Sequence, residues 1–238
     1  MTSRADTAAP RRLTARGTAT RARIIEAAAN LIYLRGVDGT SLDEVMEVSQ
    51  TSKSQLYHYF ADKYALVADV IALQTRRVLA AQEPYLREVD SLEGLRRWTA
   101  AMVEMNRSTG GVGGCPIGSL ASELAEQSEH ARTLLAASFD TWKAHLVHGL
   151  QAMRDCGDLA PDSDPHDLAT AIMAALQGGL LLAQTTRTSR PLELALDMAM
   201  NHITAHHQAT DEAPRRRSRA QFPGAVGAVR KPRRVIST

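Results

Sequence analysis

Between Ser52 and Lys63 the chain reads SKSQLYHYFADK, setting two tyrosines, a histidine and a phenylalanine between lysines in a sequence that is only 4% aromatic. Hydroxyl, amide and ammonium groups at this density suit hydrogen bonding to phosphates and base edges rather than bond-making chemistry. In a short helix opening at Ser52, the residues Lys53, Ser54, Gln55 and Tyr57 occupy the first turns, while Leu56 and Phe60 turn toward a core. Tyr59 and Lys63 fall at the end of that helix and the start of the next, placed for phosphate contact. Core packing is the plain alternative for the tyrosines, and the position of Tyr57 favours nucleic acid.

Other residues with chemical potential lack partners. There is no G-x-S-x-G elbow, no phosphate-cradling glycine fingerprint and no H-E-x-x-H, so an enzyme is not expected. The GGVGG run follows a helix rather than a strand and reads as a loop. His145/His148 and His202/His206 have helical spacing, but no third ligand completes a site, so neither metal nor cofactor is expected. Cys115 precedes Pro116 near a helix start, where a thiol pKa can be lowered. A small packed residue is the simpler reading of it.

The elements that must hold these residues are helical throughout, with no strand alternation. Ile24, Ile25, Ala28, Leu31 and Ile32 share one face of a first helix over about 20 to 35, stopped at Gly36. Ser41 to Glu44 and Ser52 to Gln55 are both capping boxes, so two short helices meet through a tight turn: a helix-turn-helix. Asp62 caps a fourth helix, expected to break or kink at Pro84. Helical segments follow from Ser91 to Arg107 and near 117–126, 128–156, 165–187 and 191–207.

Net charge is +2, distributed unevenly. Residues 1–23 carry six arginines against Asp6, and residues 211–238 carry eight Lys/Arg against Asp211 and Glu212, leaving an acidic body. Such basic ends point to a polyanionic partner. Two cysteines are too few for a disulfide framework, and the N-terminal arginines precede no apolar run, so a cytoplasmic protein is expected. The apolar stretch Leu168 to Gln184 is short for a membrane span and reads as a buried helix.

Residues 20–75, with Gly36, Thr40, Val45, Ser52, Leu56, Tyr57, Phe60 and Lys63 at their places, resemble the DNA-binding domain of the TetR family of transcriptional regulators. Met46 and the turn Ser49-Gln50-Thr51 depart from the family's small residue and A-G-V turn, so Gln50 must take a glycine-like backbone. The segment GCPIGSLASELAE is similar to the LmrA/YxaF-type subgroup, as is the recognition helix. The resemblance implies an all-α homodimeric repressor of about nine helices, acting on efflux or resistance genes. Its partners would be double-stranded DNA at a palindromic operator and a small aromatic or amphipathic effector that releases it.

On that reading 1–19 is a basic disordered arm, 20–75 the helix-turn-helix domain, 76–210 the ligand-binding and dimerisation domain, and 211–238 a basic disordered tail. The DNA-contacting set is Arg21, Arg23, Thr40, Ser41, Ser52, Lys53, Ser54, Gln55, Tyr57, Tyr59 and Lys63, with Arg16 in the arm. Trp98, Met102, Met105, Phe139, Trp142, Met173 and Gln177 are candidates for the ligand pocket, a role that competes evenly with plain core. Thr170, Gln177 and Gln184 form a polar row on an apolar helix, facing the ligand, the dimer seam or solvent. Gly178, Gly179, Leu194 and Met198 are the dimerisation candidates. A nonspecific nucleoid-type DNA-binding protein, and a helical small-molecule binder without an operator, are the rival functions.

Overall fold

Side-chain caps set where most of the helices start. The computed structural model of the protein describes residues 13–207, and these form nine helices and no strand. They are α1 (Ala15–Arg35), α2 (Leu42–Ser49), α3 (Lys53–Tyr59), α4 (Lys63–Leu86), α5 (Leu92–Ser108), α6 (Pro116–Leu124), α7 (Glu129–Asp155), α8 (Pro165–Thr186) and α9 (Arg190–His206). The expected all-α class, with an N-terminal helix-turn-helix and a C-terminal helical part, is the architecture formed.

Both capping boxes are made. Glu44 N–H donates to Ser41 Oγ at 3.2 Å and Ser41 N–H to the Glu44 carboxylate at 2.9 Å. Ser52 and Gln55 repeat the pattern at 3.2 and 2.9 Å. Between the boxes, Gln50 ends α2 in the left-handed region at φ 52°, the backbone that a glycine would adopt more cheaply. The turn holds because Thr51 N–H reaches Met46 O at 3.0 Å and the buried hydroxyls of Ser49 and Thr51 lie 2.7 Å apart.

Two boundaries differ from expectation. α1 begins at Ala15, because Thr14 Oγ1 accepts from Gly17 N–H at 3.1 Å and caps it, so residues 15–19 are helix rather than arm. α4 runs through Pro84 to Leu86 and ends two residues beyond the proline. The remaining arm, residues 1–12, and the tail 211–238 lie outside the described residues.

Ile24, Ala28, Val45, Leu56, Phe60 and Val70 bury one small core that joins α1, α2, α3 and the start of α4. The C-terminal helices pack around Leu95, Trp98, Leu135, Trp142, Leu146 and Leu176, each buried side chain contributing about 1.5–3 kcal/mol. α8 is long and apolar enough to cross a membrane, yet it lies between α7 and α9 and buries Leu168, Ile172 and Leu176 there.

The double glycine of α8 divides its work. A Cβ on Gly179 would stand 2.8 Å from Leu192 Cα, so this residue lets α9 of the same chain approach, whereas one on Gly178 would meet nothing within 4 Å. The close helix approach expected of both holds for Gly179 alone among the described contacts. Gly179→Ala should therefore lower stability by about 1–3 kcal/mol, and Gly178→Ala should not. Thermal melts of both variants check this; an equal or larger loss for Gly178→Ala contradicts it.

Candidate functional site

α3 presents Lys53, Ser54, Gln55, Tyr57 and His58 on its exposed side, while Leu56 at 0% and Phe60 at 2% exposure anchor the other. Tyr57 is 47% exposed, a large aromatic ring with nothing structural to do at that position. Ser52 and Gln55 cap the helix through their own side chains, and Ser52 Oγ lies 3.1 Å from Ser54 Oγ. Arg16 and Arg23 are exposed on α1, whose first turn abuts α3: Tyr59 Oη lies 3.3 Å from where a Cβ on Gly17 would be. Lys63 opens α4 half-buried, with the exposed Tyr64 beside it.

Besides Ser52 and Gln55, already engaged in the α3 cap, four residues of the expected contact set are occupied within the fold. Thr40 is 2% exposed and its hydroxyl donates to Gly36 O at 2.9 Å, so it holds the α1–α2 turn. Ser41 is spent on the capping box, whose hydrogen bonds to Glu44 hold that carboxyl below its ordinary pKa. Arg21 pairs with Asp69 of α4 and stands over the Phe60 ring at 5.5 Å, a charge directed inward. Tyr59 is partly buried against the core. His58 and Tyr64, outside the expected set, are exposed in and beside the same aromatic stretch.

A second feature lies deeper. Val78, Ala81 and Gln82 of α4, Met102, Met105 and Asn106 of α5, Trp142 of α7, Leu176 and Leu180 of α8, with Cys115 and Pro116 at the start of α6, line a cavity of about 210 Å³. Tyr33 of α1 also lines it, bringing the N-terminal half to its wall. Of the expected pocket residues, Met102, Met105 and Trp142 are here. Trp98 is not; it is fully buried and its Nε1–H donates to Gln82 Oε1 at 3.0 Å, which makes it core. Phe139 and Gln177 line a separate groove of about 720 Å³ between α6 and α8, with Gln184, and Met173 lines neither hollow. The polar row thus parts: Thr170 is exposed, while Gln177 and Gln184 face the groove. Asn106 stands one turn after Met102, so helical spacing would have found it.

Cys115 lines both hollows and caps α6, its Sγ accepting from Gly118 N–H at 3.4 Å. Burial pushes its thiol up in pKa, against the hydrogen bond from Gly118 N–H, so the resting group is the protonated thiol. The packed small residue is the reading that fits. Among the described residues no three His, Cys, Asp or Glu side chains gather as a metal site.

α6 also reaches the other half. Glu123 accepts from the successive N–H groups of Val37 and Asp38, each at 2.9 Å. Gly36 makes room: its φ of 77° suits glycine, and a Cβ there would lie 3.1 Å from both Glu123 oxygens. One short helix therefore has its first residues at the cavity and its last turn fastened to the α1–α2 turn.

Residues 24–70 match the family model described as bacterial regulatory proteins, tetR family, and residues 91–199 match that of the tetracyclin repressor-like C-terminal domain. The chain belongs to the TetR family. It is a transcriptional regulator of that type and not an enzyme. It is 27% identical to the HTH-type transcriptional regulator YxaF of Bacillus subtilis, over 76% of this chain and 93% of that one. To LmrA of the same organism it is 25% identical, over 72% and 90%. A TetR-family regulator from Cytophaga hutchinsonii has the same fold, with TM-score 0.73 at 20% identity over 82% of this chain and 98% of that one.

On the outside of this TetR-family regulator, α8 and α9 both expose large apolar side chains. Leu181 and Leu182 are 62% and 55% exposed, and Leu194 and Met198 are 52% and 67%. Single exposed leucines are ordinary, but four on two adjoining helices make a patch that asks for a cover. The Glu123 fastening yields a direct check: Glu123→Ala should speed hydrogen exchange at the amides of Val37 and Asp38 while leaving the α8–α9 core protected. Unchanged exchange at those two amides contradicts the contact.

Proposed function

We propose that the protein is a homodimeric, effector-released repressor that reads a near-palindromic operator. Two α3 helices, one from each protomer, enter successive major grooves roughly 34 Å apart. Lys53, Ser54, Gln55, Tyr57 and His58 meet base edges and phosphates, and Arg16, Arg23 and Lys63 meet phosphates alongside. The apolar face of Leu181, Leu182, Leu194 and Met198 forms the seam between protomers. Gly179, turned toward Leu192 of its own chain, does not belong to that seam.

The observation that carries the effector role is the shared wall of the cavity. Tyr33 from the DNA-reading half meets α4, α5, α7 and α8 there, and α4 runs on from the recognition helix without a break beyond three residues. A small molecule in that space changes the relation of the two halves by its differential affinity for their arrangements. Efflux or resistance genes as targets, and a cytoplasmic setting, follow the resemblance to the LmrA/YxaF group. The exposed, patterned face of α3 favours sequence reading over nucleoid-type packing, and gives a small-molecule binder without an operator no reason to keep Tyr57 outside.

Tyr57→Ala should weaken operator binding by about 1–3 kcal/mol, since it removes one groove contact per protomer. The melting temperature should stay unchanged, because the ring supports no core. Titration of operator and random duplexes checks this, and undiminished operator affinity contradicts the role of α3.

A further inference from the structure

The cavity carries two unmet hydrogen-bonding groups and no charge. Trp142 Nε1 and Asn106 Oδ1 are buried without a partner, and both side chains line the hollow. Native proteins seldom leave such atoms unpaired, and each instance asks for a reason. Two neighbours are already used: the other tryptophan, Trp98, has Gln82, and the backbone carbonyl of Asn106 accepts from Gly111 N–H and the Thr109 hydroxyl. No Asp, Glu, Lys, Arg or His lines the cavity; Val78, Met102, Met105, Leu176 and Leu180 supply apolar walls.

We propose that the effector is an uncharged compound of about one aromatic ring bearing a hydroxyl, which accepts from Trp142 Nε1–H and donates to Asn106 Oδ1. This rests on the cavity being the effector site of the proposed repressor. At about 210 Å³ the space exceeds the ~150 Å³ cavity that holds benzene, so one substituted ring fits. A hydroxyl is the smallest group that donates and accepts at once. An ether or ketone answers only the tryptophan, and a hydrocarbon answers neither. A carboxylate or ammonium would lose its hydration with no countercharge in the wall. The broader class of aromatic or amphipathic effectors thus narrows to neutral phenol-like alcohols.

Calorimetric titration of the full chain without DNA, using phenol, anisole, toluene and benzoate at neutral pH, tests this. Phenol should bind at least about 10-fold more tightly than anisole and more tightly still than toluene, with benzoate weakest. Trp142→Phe and Asn106→Leu should each cut the advantage of phenol over toluene to within about 3-fold while toluene binding persists. Toluene binding as tightly as phenol, benzoate binding best, no binding by any of the four, or a phenol preference intact in both variants would overturn the assignment. If either variant fails to fold, as its melt would reveal, the order of the four ligands on the unaltered chain decides. Phenol that binds as described but leaves operator binding untouched counts against the proposed repressor mechanism and not against the ligand class.

Discussion

One carboxylate, that of Glu123, ties the two halves of the molecule together by accepting from the Val37 and Asp38 amides. Those amides follow α1 and precede α2, so their position sets how the helix-turn-helix sits beneath the C-terminal helices. The contact exists because Gly36 leaves space for the carboxylate and because α6 is short enough to run from cavity to turn in two and a half turns of helix. α6 thus starts at the cavity wall, at Cys115 and Pro116, and ends in contact with the α1–α2 turn.

The magnitudes allow so small a device to matter. Hydrogen bonds to a charged group contribute about 1.5–3 kcal/mol, and coupling between two sites in regulated proteins is typically about 1–3 kcal/mol. Gaining or losing the Glu123 pair therefore covers the whole range needed. α4 adds a second connection: Arg21 with Asp69 and Arg77 with Glu26 fix α1 along it, and its middle forms a wall of the cavity. α4, α6 and α1 meet at the cavity wall, and α3 is joined to the last of these through the core around Phe60.

Local chemistry was legible in the sequence and distant chemistry was not. Two capping boxes, each four residues long, announced α2 and α3, and the structure makes both of their reciprocal hydrogen bonds. The left-handed Gln50 followed from the missing glycine. Thr14 escaped notice because a threonine cap ahead of a polar, arginine-rich turn carries no apolar periodicity to draw attention to it. The two tryptophans look alike along the chain, yet Trp98 finds Gln82, sixteen residues away, and Trp142 finds no partner. Glu123 and Val37 stand 86 positions apart, and nothing at either position marks the pairing. The family resemblance puts Thr40, and the basic arm puts Arg21, at the DNA surface; a turn carbonyl and Asp69 claim them instead.

If Glu123 is the joint between effector and operator, removing its carboxylate should leave two working halves that no longer communicate. The direct measurement is operator affinity of the unaltered chain and of Glu123→Ala, each with and without saturating phenol, with phenol binding followed in parallel by tryptophan emission. The account predicts that both proteins bind phenol, that phenol weakens operator binding of the unaltered chain several-fold or more, and that the variant's operator affinity barely responds. Release of the variant from its operator by phenol as completely as the unaltered chain would contradict it.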